Sequence, residues 1–336
     1  MSLYRAETRR LAKRRFTRWM LVGGLVILAA VAVGVFFSNQ KVGPDQIARA
    51  KADAAANYQE NLRYAEQERQ RCEQVKGTAE AQNYPEDCAQ MYTPTPEEYD
   101  YQNFMPPTFD FRQNFGDMVI TFAAILALTG FVIGASYVGA EWSSGGMMNL
   151  LLWRPQRIKV LATKLAALLI AITAVTVVAA AVWTAAFVLI ANLRGSTAGM
   201  TSGAWQSFAL MELRGLGLIL AVTALGFGIA SVGRHTALAL GAAIGLVVIF
   251  QFGLVAVLSL ARVRYAEIWL LPTWGIAWMQ KKLTLQDYNA CDFSATQGCQ
   301  PAELTLTWPM AGGLMAVALV LVVGAAMWTM RSRDIT

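Results

Sequence analysis

The sequence predicts an all-α membrane protein. It has six transmembrane helices, an N-terminal amphipathic helix at the membrane interface, and a helical extracellular insertion between the first two spans. Three observations predict this. The 336 residues are 56% hydrophobic and only 15% charged, against about 25% charged in an average globular chain. The charges are unevenly spread and leave apolar windows of about 20 residues, long enough to cross a hydrocarbon core of about 30 Å. Residues 1–18 hold seven basic side chains against a single acid, Glu7, and a basic flank of this kind stays in the cytoplasm.

Residues 1–18 read as a basic helix with Tyr4, Thr8, Leu11, Ala12, Phe16 and Trp19 roughly on one side and Arg15 intruding. Such a helix suits the inner headgroup layer, with its arginines on anionic membrane lipid, and also serves as a topology anchor. The first span is 19–37. Its apolar run exceeds a signal-peptide core, and Ser38-Asn39-Gln40-Lys41 is a poor cleavage site, so it is expected to stay attached.

Residues 38–117 hold 8 basic and 14 acidic residues, the balance expected of an extracellular region. Residues 44–82 are rich in Ala, Gln, Glu and Arg and predict a solvated helix or hairpin. Opposite charges recur at helical spacing, as in Arg49/Asp53 and Glu66/Arg69. Pro94, Pro96, Pro106 and Pro107 then force an extended return to the membrane.

The second span is 118–139 and the third 161–191, with a cytoplasmic loop at 140–160. The fourth and fifth spans, 208–232 and 236–260, meet at the basic turn Gly233-Arg234-His235. An extracellular or re-entrant region, 261–309, precedes the sixth span, 310–330. The tail, 331–336, returns to the cytoplasm with Arg331 and Arg333. This places the chain in the plasma membrane as a multi-pass protein with both termini cytoplasmic. Small-residue pairs, Gly130/Gly134 and Gly241/Gly245, and glycines 215, 217, 226 and 228 permit close helix approach, within one chain or between two.

The four cysteines fall in the two extracellular regions, which predicts the disulfides Cys72–Cys88 and Cys291–Cys299. Zinc spacing is absent, and His235 is the only histidine. Trp269, Trp274 and Trp278 beside Pro272 mark an interfacial or re-entrant helix, readable as an aromatic belt or as an outer gate. Glu212 and Arg214 lie near the outer end of their span, where they serve either as interface anchors or in a transport path.

No nucleotide-binding, metalloprotease or nucleophile-elbow motif occurs, so the chain is not expected to be an enzyme or to hold a cofactor. The basic arm is a topology signal, and no nucleic-acid partner is expected.

The most informative stretch is 141–157. It offers Glu141, Trp142, a glycine pair at Gly145 and Gly146, a short apolar helix, and then Arg154, Pro155 and Arg157, with Lys159 and Lys164 beyond. A bundle of lipid-facing helices needs only a polar turn here. The segment instead has the build of a docking surface at the cytoplasmic end.

This segment resembles the loop between the second and third helices of ABC-2-type permeases, the membrane subunits of ABC transporters. Glu141, Trp142, Gly145, Pro155, Arg157 and Lys164 carry the resemblance, and Gly146 stands where Thr is usual. The six spans, basic N-terminal helix and hydrophobic hairpin before the last span agree with it; the 38–117 insertion is longer than in many such permeases. The resemblance implies a permease exporting a lipid-like or amphiphilic compound. It also implies a second permease subunit, the same or related, and an ABC ATPase subunit holding ATP and Mg. Glu141, Trp142, Gly145, Arg154, Pro155 and Arg157 would then belong to a coupling helix on the ATPase. The competing reading is a non-transporting scaffold or sensor whose extracellular domain binds a ligand or partner. A neighbouring ATPase reading frame separates the two. A proton- or sodium-coupled carrier lacks the buried acids it needs.

Overall fold

The computed structural model describes residues 3–85, 87–153, 156–292 and 300–332. The chain opens with α1 (Leu3–Lys13), α2 (Arg15–Ser38) and α3 (Pro44–Gln74). Short 3-10 turns lead to a two-residue strand, β1 (Phe109–Asp110), and to α4 (Phe111–Ser143). Then come α5 (Gly146–Trp153), α6 (Arg157–Arg194), β2 (Gly195–Ser196) and α7 (Ser202–Gly233). α8 (Thr236–Gly245) runs into a π-helical segment, Leu246–Gly253, and α9 (Leu254–Leu260). The chain continues through α10 (Leu271–Gln280), β3 (Lys282–Asp292), β4 (Gln300–Thr307) and α11 (Trp308–Ser332).

Among the described residues, five helices are long and apolar enough to cross a membrane: α2, α4, α6, α7 and α11. Within the protein only 11% of the apolar window is buried in α2 and α11 and 22% in α6, against 50% in α4 and 56% in α7. Helices so apolar and so little covered by protein require lipid as their solvent. α4 and α7 form the packed centre instead.

Two compact units divide the chain. One comprises residues 33–111 and 188–198. Its main element is α3, started by Pro44 in the first turn, where a missing N–H costs nothing. Gln46 accepts the Gly43 N–H at 2.5 Å. The return segment packs back on α3: Tyr99 meets Tyr58 with ring centroids 5.7 Å apart, and Lys51 lies 5.2 Å from the Tyr101 ring. Cys72 is bonded to Cys88, as expected, with Cα atoms 6.0 Å apart and both residues buried. The Gln40 N–H donates to Pro107 O, and β1 pairs with β2 in parallel, Phe109 against Gly195. A Cβ at Gly195 would stand 1.9 Å from Phe109 O, so only glycine fits.

The other unit comprises residues 1–32, 112–187 and 199–336. Here α4 and α7 touch backbone to backbone. A Cβ at Gly134 would lie 2.5 Å from Thr223 O, and one at Gly226 would lie 2.4 Å from Phe131 O. The Gly130/Gly134 pair thus serves packing within the chain. Gly241 and Gly245 have nothing within 4 Å of such a Cβ.

Two expectations need correction. The 236–260 segment is not one α-helix, because wider winding interrupts it between Gly245 and Gly253. There Gln251 turns its side-chain oxygen to the Leu271 N–H at 3.2 Å. Nor is the fold all-α: β3 and β4 form an antiparallel hairpin, Leu283 opposite Leu306 and Leu285 opposite Leu304. Leu285 and Leu306 pack with Ala277 and Ala311, flanked by Trp274 and Trp278.

Candidate functional site

Three elements converge on a buried charge cluster: α1, the last turns of α4 and the first turns of α6. Lys164, two turns into α6, is fully buried. Its Nζ lies 2.6 Å from Glu7 Oε2, to which it donates a hydrogen bond, and 2.6 Å from Glu141 Oε2, an ion pair without hydrogen-bond geometry. The Tyr137 hydroxyl donates to Glu7 Oε2 at 2.7 Å, and Tyr137 and Glu7 are as buried as Lys164. Arg10 stands 3.5 Å from Glu7 Oε1. Arg14 donates to Ser136 O at 3.0 Å and lies 6.0 Å from the centre of the Tyr137 ring.

Two carboxylates, one ammonium and the Arg10 guanidinium at the rim leave the ion-paired groups near neutrality. That balance matters because a buried ion is tolerated only when it is paired and hydrogen-bonded. Helical spacing supplies the parts. Glu7 and Leu11, four residues apart, are the buried residues of α1. Tyr137 and Glu141 have the same spacing on α4. Of the apolar stripe, Leu11 packs beside Glu7, whereas Tyr4 on α1 and Phe16 and Trp19 at the start of α2 remain exposed, Trp19 at 70%.

The 141–157 segment continues from this cluster. Glu141 and Trp142 end α4, and the Trp142 ring lies 4.9 Å from the Arg234 guanidinium. Gly145, at φ +71°, makes the left-handed turn that starts α5. Met147 and Leu151 bury one side of α5, whereas Leu152 and Trp153 are exposed at 78% and 87%. Arg154 and Pro155 lie outside the described residues. Arg157 opens α6 and lines a groove with Lys159 and Arg331.

The other predicted residues separate. Glu212 accepts a hydrogen bond from Thr184 on α6 at 2.5 Å. Arg214 turns the opposite way and donates to the carbonyls of Trp278 and Met279, while Trp278 Nε1 donates to Arg214 O at 2.8 Å. Trp278 also packs on Trp308, centroids 5.9 Å apart, and Trp274 donates to Ile268 O at 2.8 Å. Trp269 is 62% exposed. The Cys291–Cys299 pairing lies outside the described residues, because Cys299 does.

Glu7 and Tyr137 are the members that sequence reasoning did not assign to the site; it marks Lys164 beside the loop, without its partners. Glu7 had one signal, as the only acid among seven basic residues at the N-terminus. The arrangement offers no nucleophile and no unpaired acid or base. Its chemistry is that of a rigid joint fixing α1, α4 and α6 together at the root of α5.

Comparison with known proteins gives the class. The family model described as ABC-2 family transporter protein matches residues 11–327, nearly the whole chain. No curated protein matches it.

Proposed function

The chain belongs to the ABC-2 family of transporter proteins, and from that premise we propose that it works as an ATP-driven exporter of lipid-like or amphiphilic compounds. Membership makes it a multi-pass permease subunit of an ABC transporter and implies an ABC ATPase subunit as partner. In our reading α5 and its flanks, with Glu141, Trp142, Gly145, Arg154, Pro155 and Arg157, form the coupling helix on that ATPase, where ATP and Mg are held. The observation that carries this reading is the fully buried Lys164, which ties the root of α5 to two other elements. A push on an exposed apolar tip, Leu152 and Trp153, then moves helices rather than a loop.

Residues 236–260 supply the fifth of six spans in this proposal, and both termini lie in the cytoplasm. A second permease copy or relative completes the pathway. The span helices carry few charges, so a strongly ionic cargo finds no partners inside. Trp269, Trp274 and Trp278 act as an outer gate, and Glu212 and Arg214 lie beside the path. Of these, Glu212 is the better candidate, because Arg214 is committed to the end of α10.

Co-purification tests the coupling assignment. The wild-type chain is expected to retain the cognate ATPase subunit, and a Leu152→Ala/Trp153→Ala variant to lose it. Equal retention by both would remove α5 from the ATPase interface.

A further inference from the structure

A second feature adjoins the charge cluster. Ala6, Arg9, Arg10, Lys13 and Arg14 of α1 and its junction face Ala140, Glu141 and Ser144 across a groove of about 740 Å³. Its floor is small and apolar, and its rim is cationic. Glu141 is occupied by Lys164, and Arg10 faces Glu7. Arg9 and Lys13 have no acidic partner among the described residues. The groove therefore carries uncompensated positive charge over alkyl surface, which suits an anion with an apolar body.

We propose that this groove binds the headgroup of an anionic phospholipid, its phosphate between Arg9 and Lys13 and its glycerol against Ala6 and Ala140. The inference rests on the orientation read above, which puts α1 at the cytoplasmic face. Depth favours a lipid over an acidic protein surface. Lys13 precedes Trp19, the first residue of the apolar run, by six positions, at most about 9 Å of helix. That distance is comparable to the headgroup layer outside a core of about 30 Å. Just beyond it α2 exposes Trp19, Val22 and Val26, apolar surface for an acyl chain. Because the groove shares Arg10 and Glu141 with the ion cluster, an occupant there also steadies the joint at the root of α5.

The test measures lipid binding to the purified full-length permease without ATPase, so its outcome does not depend on transport. Native mass spectrometry and titration with dihexanoyl-phosphatidylglycerol are compared with dihexanoyl-phosphatidylcholine and inorganic phosphate. The wild type is expected to retain the phosphatidylglycerol and to prefer it to phosphatidylcholine. Arg9→Gln/Lys13→Gln should weaken that binding about 30-fold, at roughly fivefold per cation near an anionic lipid. Arg5→Gln/Arg15→Gln removes the same charge from α1 and the start of α2 outside the groove and should leave it nearly unchanged. Equal loss in both variants would overturn the groove in favour of diffuse attraction. Equal affinity for the two lipids, or full competition by inorganic phosphate, would overturn the phospholipid. If Arg9→Gln/Lys13→Gln lost the ATPase but kept the lipid, the groove would be a protein-docking surface and the proposal would fail.

Discussion

Lys164 has no exposed surface and touches two carboxylates at 2.6 Å, one of them 157 positions away in sequence. Removing one partner of a buried ion pair costs about 3–5 kcal/mol, because the charge left behind is poorly compensated away from water. Lys164→Met leaves Glu7 and Glu141 facing each other and should lower stability by that order. Adding Glu7→Gln should recover part of the loss. Thermal unfolding of the purified variants checks this, and an unchanged midpoint for Lys164→Met would remove the cluster from the stabilising contacts. Tyr137→Phe deletes one hydrogen bond to a charged group and should cost less, about 1.5–3 kcal/mol. None of this could be read from spacing. Glu141 and Lys164 were visible as parts of a patterned loop, but Glu7 counted only as a charge in a basic arm. Which side chains meet depends on how α1 lies across the helix ends, and local sequence does not encode that.

Among the elements, legibility followed the strength of the local signal. Long apolar runs announced α2, α4, α6, α7 and α11, because burying or embedding such a run leaves no alternative to a helix. Their ends ran past the apolar windows: α4 begins at Phe111 and α6 at Arg157, since polar residues continue a helix that membrane composition alone does not mark. The hairpin had its signal in the alternation of Leu283 with Leu285 and of Leu304 with Leu306. From sequence the region reads as extracellular or re-entrant, with a helix around 269–278; α10 is a helix there, and the hairpin that follows it is missing from that reading. The π-helical winding at Leu246–Gly253 has no period of its own in an apolar run and could not be seen. The Cys72–Cys88 link was legible from placement alone. It closes a loop with a sequence separation of 16, so Cys72→Ser/Cys88→Ser should destabilise the unit around α3 by about 3 kcal/mol. Limited proteolysis should then cut within residues 75–108 before the span helices. Wild-type resistance in the double variant would show that packing of Tyr58 and Tyr99 suffices there.

At the scale of the whole molecule the claims are orientation and coupling. The basic ends predict that Ser144 lies inside and Thr78 outside. A membrane-impermeant maleimide added to intact cells should label a cysteine placed at Thr78 and spare one at Ser144, each judged against the parent chain. The reverse pattern would invert the topology. Coupling between α5 and the span helices is read out by transport itself. The chain is reconstituted with its ABC ATPase in proteoliposomes, and ATP-dependent movement of a fluorescent amphiphile is followed beside ATP hydrolysis. The account predicts movement that requires ATP. It also predicts that Lys164→Met, in the fraction that still assembles with the ATPase, hydrolyses ATP but moves little cargo, because the joint at the root of α5 is loose. Undiminished cargo movement per ATP in that assembled variant would contradict the account.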